Sequence, residues 1–103
     1  MAGNVILILG GTREAIEIAC DLEQIENTTV ITSLAGVTRS PRLPTGKVRF
    51  GGFGGKDGLF DYLIREKITL VVDATHPFAE KITKNAGEAS ERANIPFLHF
   101  SLK

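Results

Sequence analysis

The sequence predicts an α/β domain, a five-stranded, mainly parallel sheet flanked by about three helices. Three observations predict it. Short apolar runs rich in β-branched residues alternate with stretches of helical periodicity. The first run, Val5-Ile6-Leu7-Ile8-Leu9, is apolar without alternation, as a strand buried on both faces should be. Glycine-rich and polar clusters follow the strands, at the carboxyl ends where parallel sheets collect ligands. At 103 residues the chain fits one compact unit, residues 1–103, and its 43% apolar content allows a packed core without metals or disulfides.

After the first strand, Gly10-Gly11-Thr12 opens a helix in which Ala15, Ile18, Ala19 and Leu22 share one face. Cys20, beside Ala19, reads as a small buried apolar residue. Thr28 to Ser33 is a second strand, and Lys47 to Phe50 a short third one ended by Gly51-Gly52-Phe53-Gly54-Gly55. A helix over about 57–66 turns Leu59, Phe60, Leu63 and Ile64 inward. Ile68 to Asp73 is a fourth strand. A third helix starts near Pro77 and reaches about Ala93, with Ala79, Ile82, Ala86, Ala89 and Ala93 along one side. Its other face carries Glu80–Lys84 and Glu88–Arg92 as i,i+4 ion pairs. Pro96 to Phe100 is the fifth strand. A Rossmann-like three-layer arrangement with strand order 3-2-1-4-5 follows, its ligand crevice between strands 1 and 4. The flavodoxin-like order 2-1-3-4-5 is the alternative, disfavoured because Leu34 to Gly46 shows no helical period.

Net charge is zero, which speaks against a nucleic-acid or membrane-surface binder. The charges are nonetheless segregated. No acid occurs from Asn27 to Lys56, where Arg39, Arg42, Lys47, Arg49 and Lys56 all fall. Such a basic stretch in a neutral domain suits a small anionic ligand. The lone cysteine excludes an intramolecular disulfide and a Cys-only metal cluster, and no metal site is expected. No basic signal-type N-terminus is visible, and no apolar run approaches the roughly 20 residues of a membrane span, so a cytoplasmic location is expected.

The chemistry-bearing residues sit after the strands. Gly10 and Gly11 permit a tight turn that brings backbone N–H groups, and about half a positive charge from the helix N-terminus, to an anion. Measured against G-x-G-x-x-G the match is partial, with Thr12 in the middle place and Ala15 in the last; a plain turn with Thr12 as N-cap is the competing reading. A dinucleotide with a free ribose 2′-hydroxyl meets an acid about 20 residues after such a turn. Here that place holds Ser33, with Arg39 following and no acid, which favours NADPH over NADH. Four glycines around Phe53 suit a backbone wrapped against a ligand with an apolar ring face; a flexible surface loop competes. In Asp73-Ala74-Thr75-His76-Pro77-Phe78, Thr75 or His76 is placed to cap a helix or hydrogen-bond a ligand, and His76 is a candidate general acid. His99 has no visible partner and is given no role.

Together, ILILGGTREA, SLAGVT, GGFGG followed by DGL, and VVDATHPFA resemble the precorrin-6A reductases of cobalamin biosynthesis, in that family's order and over essentially the whole chain. The resemblance implies a two-domain reductase using NADPH, or NADH in some members, to reduce one double bond of a ring-contracted tetrapyrrole. It implies that Gly10, Gly11 and Thr12 meet the pyrophosphate and that Ser33 and Arg39 lie near the adenosine end. Gly52, Phe53, Gly54 and Thr75 would border the cofactor, and His76, Pro77 and Phe78 the substrate. This chain would be the N-terminal half, with the C-terminal domain missing beyond Ser101-Leu102-Lys103. A second class of function is a non-catalytic nucleotide-binding or regulatory module on the same fold. An extended-Rossmann oxidoreductase is disfavoured, because Tyr62 is followed four places on by Glu66 in place of the lysine such enzymes use.

Overall fold

A computed structural model describes residues 3–36 and 43–100 of the chain. The elements follow as β1 (Asn4–Leu9), α1 (Arg13–Glu23), β2 (Thr28–Leu34), β3 (Lys47–Phe50), α2 (Gly55–Arg65), β4 (Leu70–Asp73), α3 (Glu80–Arg92) and β5 (Phe97–His99). The five strands form one sheet in the order β3-β2-β1-β4-β5, and every neighbouring pair is parallel. The expected order 3-2-1-4-5 is borne out.

The unbroken apolar run of β1 is explained by what covers it. Ile6 and Ile8 point to one face, where they pack with Ala15 and Ala19 of α1, Val30 and Val72. Leu7 and Leu9 point to the other, against Leu59 and Leu63 of α2 and Ala86 and Ala89 of α3. A strand at the centre of a three-layer domain has no solvent side, so period-2 alternation disappears. The alanines of α1 and α3 let both helices lie close to the sheet.

Several local expectations are corrected. Cys20 is exposed and Ile64 is 53% exposed. Each follows a buried residue, Ala19 or Leu63, and one helical step of 100° carries it off the sheet-facing side. Helix α3 begins at Glu80, because His76 to Ala79 closes a turn in which Ala79 N donates to the His76 carbonyl (2.9 Å). Strand β4 starts at Leu70, since Ile68 N still bonds the Leu63 carbonyl at the end of α2 (3.0 Å). Strand β2 runs one residue further than expected, to Leu34, and β5 keeps only Phe97–His99. Glu88 and Arg92 do not pair with each other. They reach across to α2, Glu88 to Lys56 (3.3 Å) and Arg92 to Asp57 (3.1 Å). Among the described residues, no helix is long and apolar enough to cross a membrane.

Candidate functional site

The carboxyl ends of β1, β2, β3 and β4 border one cleft of about 460 Å³, lined among others by Gly10, Gly11, Ser33, Gly52, Phe53, Thr75 and His76. Its floor is the turn from β1 into α1. A side chain at Gly10 would meet Thr32 Cγ2 at 2.8 Å, so only glycine fits between the strands there, while Gly11 takes φ +112° in open space. Thr12 caps α1, its hydroxyl accepting from Ala15 N (3.1 Å) and donating to the Ala74 carbonyl (2.6 Å). That hydroxyl ties β1's turn to the end of β4. With Ala15 N taken by the cap, what is left for a ligand is the N–H groups of Arg13 and Glu14, which have no partner within their own helix. The donor set fits an anion such as a pyrophosphate.

One wall comes from β2 and β3, whose register places Ser33 beside Arg49. Arg49 Nη1 donates to Ser33 Oγ (2.8 Å) and to the Gly51 carbonyl (3.1 Å), and Nη2 to the Gly52 carbonyl (3.1 Å). The guanidinium carbon also lies 3.9 Å from the centre of the Phe53 ring, which meets Tyr62 edge-on at 5.1 Å. Burial pushes the Tyr62 hydroxyl pKa up, against the opposing pull of Arg49. Three of the four glycines in this run, Gly51, Gly54 and Gly55, have left-handed backbone (φ +102°, +85° and +76°). The glycine density is therefore required by the turn into α2, for which Gly54 is the N-cap.

The opposite wall is the end of β4. Asp73 is fully buried, and its carboxylate accepts from Thr75 N (3.1 Å), Thr75 Oγ1 (2.6 Å), Thr83 Oγ1 (2.5 Å) and His99 Nδ1 (2.9 Å). Burial raises its pKa, but these hydrogen bonds outweigh that and hold it below the usual carboxylate range. His99 thus has a partner, supplied by the β4–β5 register that pairs it with Asp73. Thr75 does not cap α3; its hydroxyl is committed to Asp73, and the residue lines the cleft.

The cleft brings together Gly10, Gly11, Ser33, Gly52, Phe53, Thr75 and His76 of the residues singled out from sequence. Gly54 sits behind, at the start of α2, and Phe78 is 91% exposed on the turn outside the cleft, with Pro77 beside it. Arg39 lies outside the described residues. Sequence reasoning missed Arg49 and Asp73 as organisers of the site. A cation placed two residues before a glycine run, on a strand neighbouring Ser33, is the signal that singles out Arg49.

The family model described as Precorrin-6x reductase CbiJ/CobK matches residues 5–101. The chain belongs to the precorrin-6x reductase family. Among its relatives, the precorrin-6A reductase of Rhodococcus erythropolis is 50% identical over 93 residues, covering 90% of this chain and 38% of the relative. That of a Sinorhizobium species is 48% identical over 93 residues, covering 90% of this chain and 36% of the relative. A solved structure of CobK precorrin-6A reductase superposes with a TM-score of 0.88 at 39% identity, covering 97% of this chain and 39% of that one. The chain thus spans well under half the length of the curated relatives it matches.

Proposed function

We propose that this chain is the N-terminal, NADPH-binding domain of a precorrin-6A reductase, acting on precorrin-6A or its cobalt-containing counterpart in cobalamin biosynthesis. The observation that carries the reading is the convergence, in one cleft of a precorrin-6x reductase fold, of the β1 glycine turn, an acid-free β2 end and the Thr75-His76 segment. The relatives named above as precorrin-6A reductases support the substrate class.

In this reading the first-turn N–H groups after Gly10 and Gly11 hold the pyrophosphate through backbone and helix field. Ser33 and Arg39 take the adenosine end, where a 2′-phosphate replaces the hydroxyl that an acid would otherwise bind. Gly52 and Phe53 form the wall against the cofactor, with Gly54 behind them at the start of α2, and Thr75 lines the opposite side. The bound cofactor supplies a hydride to one ring carbon of the tetrapyrrole. His76, exposed at the cleft edge, is the candidate acid for the accompanying proton, with Pro77 and Phe78 on the substrate side. The rest of the substrate surface comes from a C-terminal domain, and the chain works without nucleic acid or membrane partners.

Equilibrium titration with NADPH and NADH tests this. Tighter binding of NADPH is expected, and replacing Arg39 with Ala narrows the preference by about 1.5–3 kcal/mol, the worth of a charged hydrogen bond. Binding of neither dinucleotide would remove the cofactor roles of Gly10, Ser33 and Arg39 together.

A further inference from the structure

Arg49 is absent from the cleft lining, yet it holds three of the groups that form it. Its guanidinium bonds Ser33 Oγ at 2.8 Å and the Gly51 and Gly52 carbonyls at 3.1 Å each, and it lies against the Phe53 ring. A guanidinium only donates. Ser33 Oγ is therefore the acceptor in their bond, and the hydroxyl's own hydrogen must go to another acceptor. Ser33 is 6% exposed and lines the cleft at the end of β2. Leu34, Ala35 and Gly36, which follow it, contribute no carboxylate. The strand end thus presents a donor hydroxyl backed by a fixed positive charge.

We propose that Arg49 is a positioning residue for cofactor choice. By holding Ser33 Oγ as an acceptor, it turns the Ser33 hydroxyl hydrogen toward the phosphate on the adenosine ribose of NADPH. Its own charge stands 2.8 Å behind that hydroxyl. The inference rests on the reading of the cleft as a dinucleotide site and adds the residue that discriminates. A neutral 2′-hydroxyl gains little from this arrangement, whereas a phosphate gains both the hydrogen bond and the charge. Arg49's ties to the Gly51 and Gly52 carbonyls shape the wall for either dinucleotide, so a purely structural role would affect both alike.

The test uses the whole chain and the variants Arg49→Gln, Arg49→Lys and Ser33→Ala. Each is titrated calorimetrically with NADPH and NADH, and with adenosine 2′,5′-bisphosphate and adenosine 5′-monophosphate. Thermal unfolding of every variant is recorded. The wild type should prefer the 2′-phosphorylated member of each pair. Arg49→Gln should reduce that preference roughly 10- to 100-fold, the range of a charge-assisted hydrogen bond. Arg49→Lys should restore part of it, and Ser33→Ala should lower it with Arg49 in place. Equal losses for both members of a pair, or an unchanged ratio, would overturn the role of Arg49 and leave the NADPH reading standing. Should Arg49→Gln fail to fold, an undiminished preference in Ser33→Ala overturns the proposal by itself. A wild type without preference between the members removes both the reading and the inference.

Discussion

At the scale of single residues, the site is organised by groups that do not themselves face the cleft. Asp73 gathers four donors from the turn after β4, from α3 and from β5, and its lowered pKa has a consequence for stability. A carboxylate whose pKa falls on folding stabilises the fold above its unfolded value of about 3.9, and that contribution is lost as pH drops through the lowered folded value. Asp73→Asn leaves one oxygen for these donors and sets an amide against Thr83 or His99. It should destabilise by about 1–3 kcal/mol in urea unfolding at neutral pH, with a shallower acid limb than the wild type. Thr12→Ala should cost about 1 kcal/mol for the lost cap, and more for the orphaned Ala74 carbonyl, while Thr12→Ser should restore most of it. Chemical denaturation of the pair checks this. Thr12 was legible from sequence because a cap is a local pattern. His99 was not, because its partner lies 26 positions away and is set by strand register.

At the scale of elements, two glycines in helices make opposite predictions. Gly58 lies in α2, where a Cβ would overlap the Phe53 carbonyl oxygen. Gly58→Ala should therefore lower the melting temperature, although alanine is favoured over glycine by about 1 kcal/mol in an unobstructed helix interior. Gly87 in α3 has only Phe97 Cε2 at 3.8 Å, an ordinary contact, and Gly87→Ala should raise it. Thermal unfolding of both variants separates steric from entropic control. Periodicity located these helices well but missed which side of Cys20 and Ile64 met the sheet. An apolar residue one step from the buried stripe carries the same hydropathy signal as one within it. The ends of α3 and β4 were missed for a related reason: turn hydrogen bonds at Ala79 and Ile68 fix them, and hydropathy does not report those.

At the scale of the whole molecule, the strand order and the position of the cleft were readable from the sequence. An unalternating β1 has to be central, and a connection without helical period after β2 leaves β3 beside it. The ties within each wall were not readable. The Arg49 latch on one side and the Asp73 cluster on the other depend on side chains from separate elements meeting. The central claim is that the cleft at the carboxyl ends of β1 to β4 receives the dinucleotide. Amide-resolved NMR of the chain titrated with NADP⁺ tests it most directly. The account predicts saturable shifts at Gly10 to Glu14, Ser33 and Leu34, Gly51 to Gly55, and Thr75 and His76, with the Lys56–Glu88 side of α2 and α3 unmoved. Shifts confined to other surfaces, or none at saturating ligand, would contradict it.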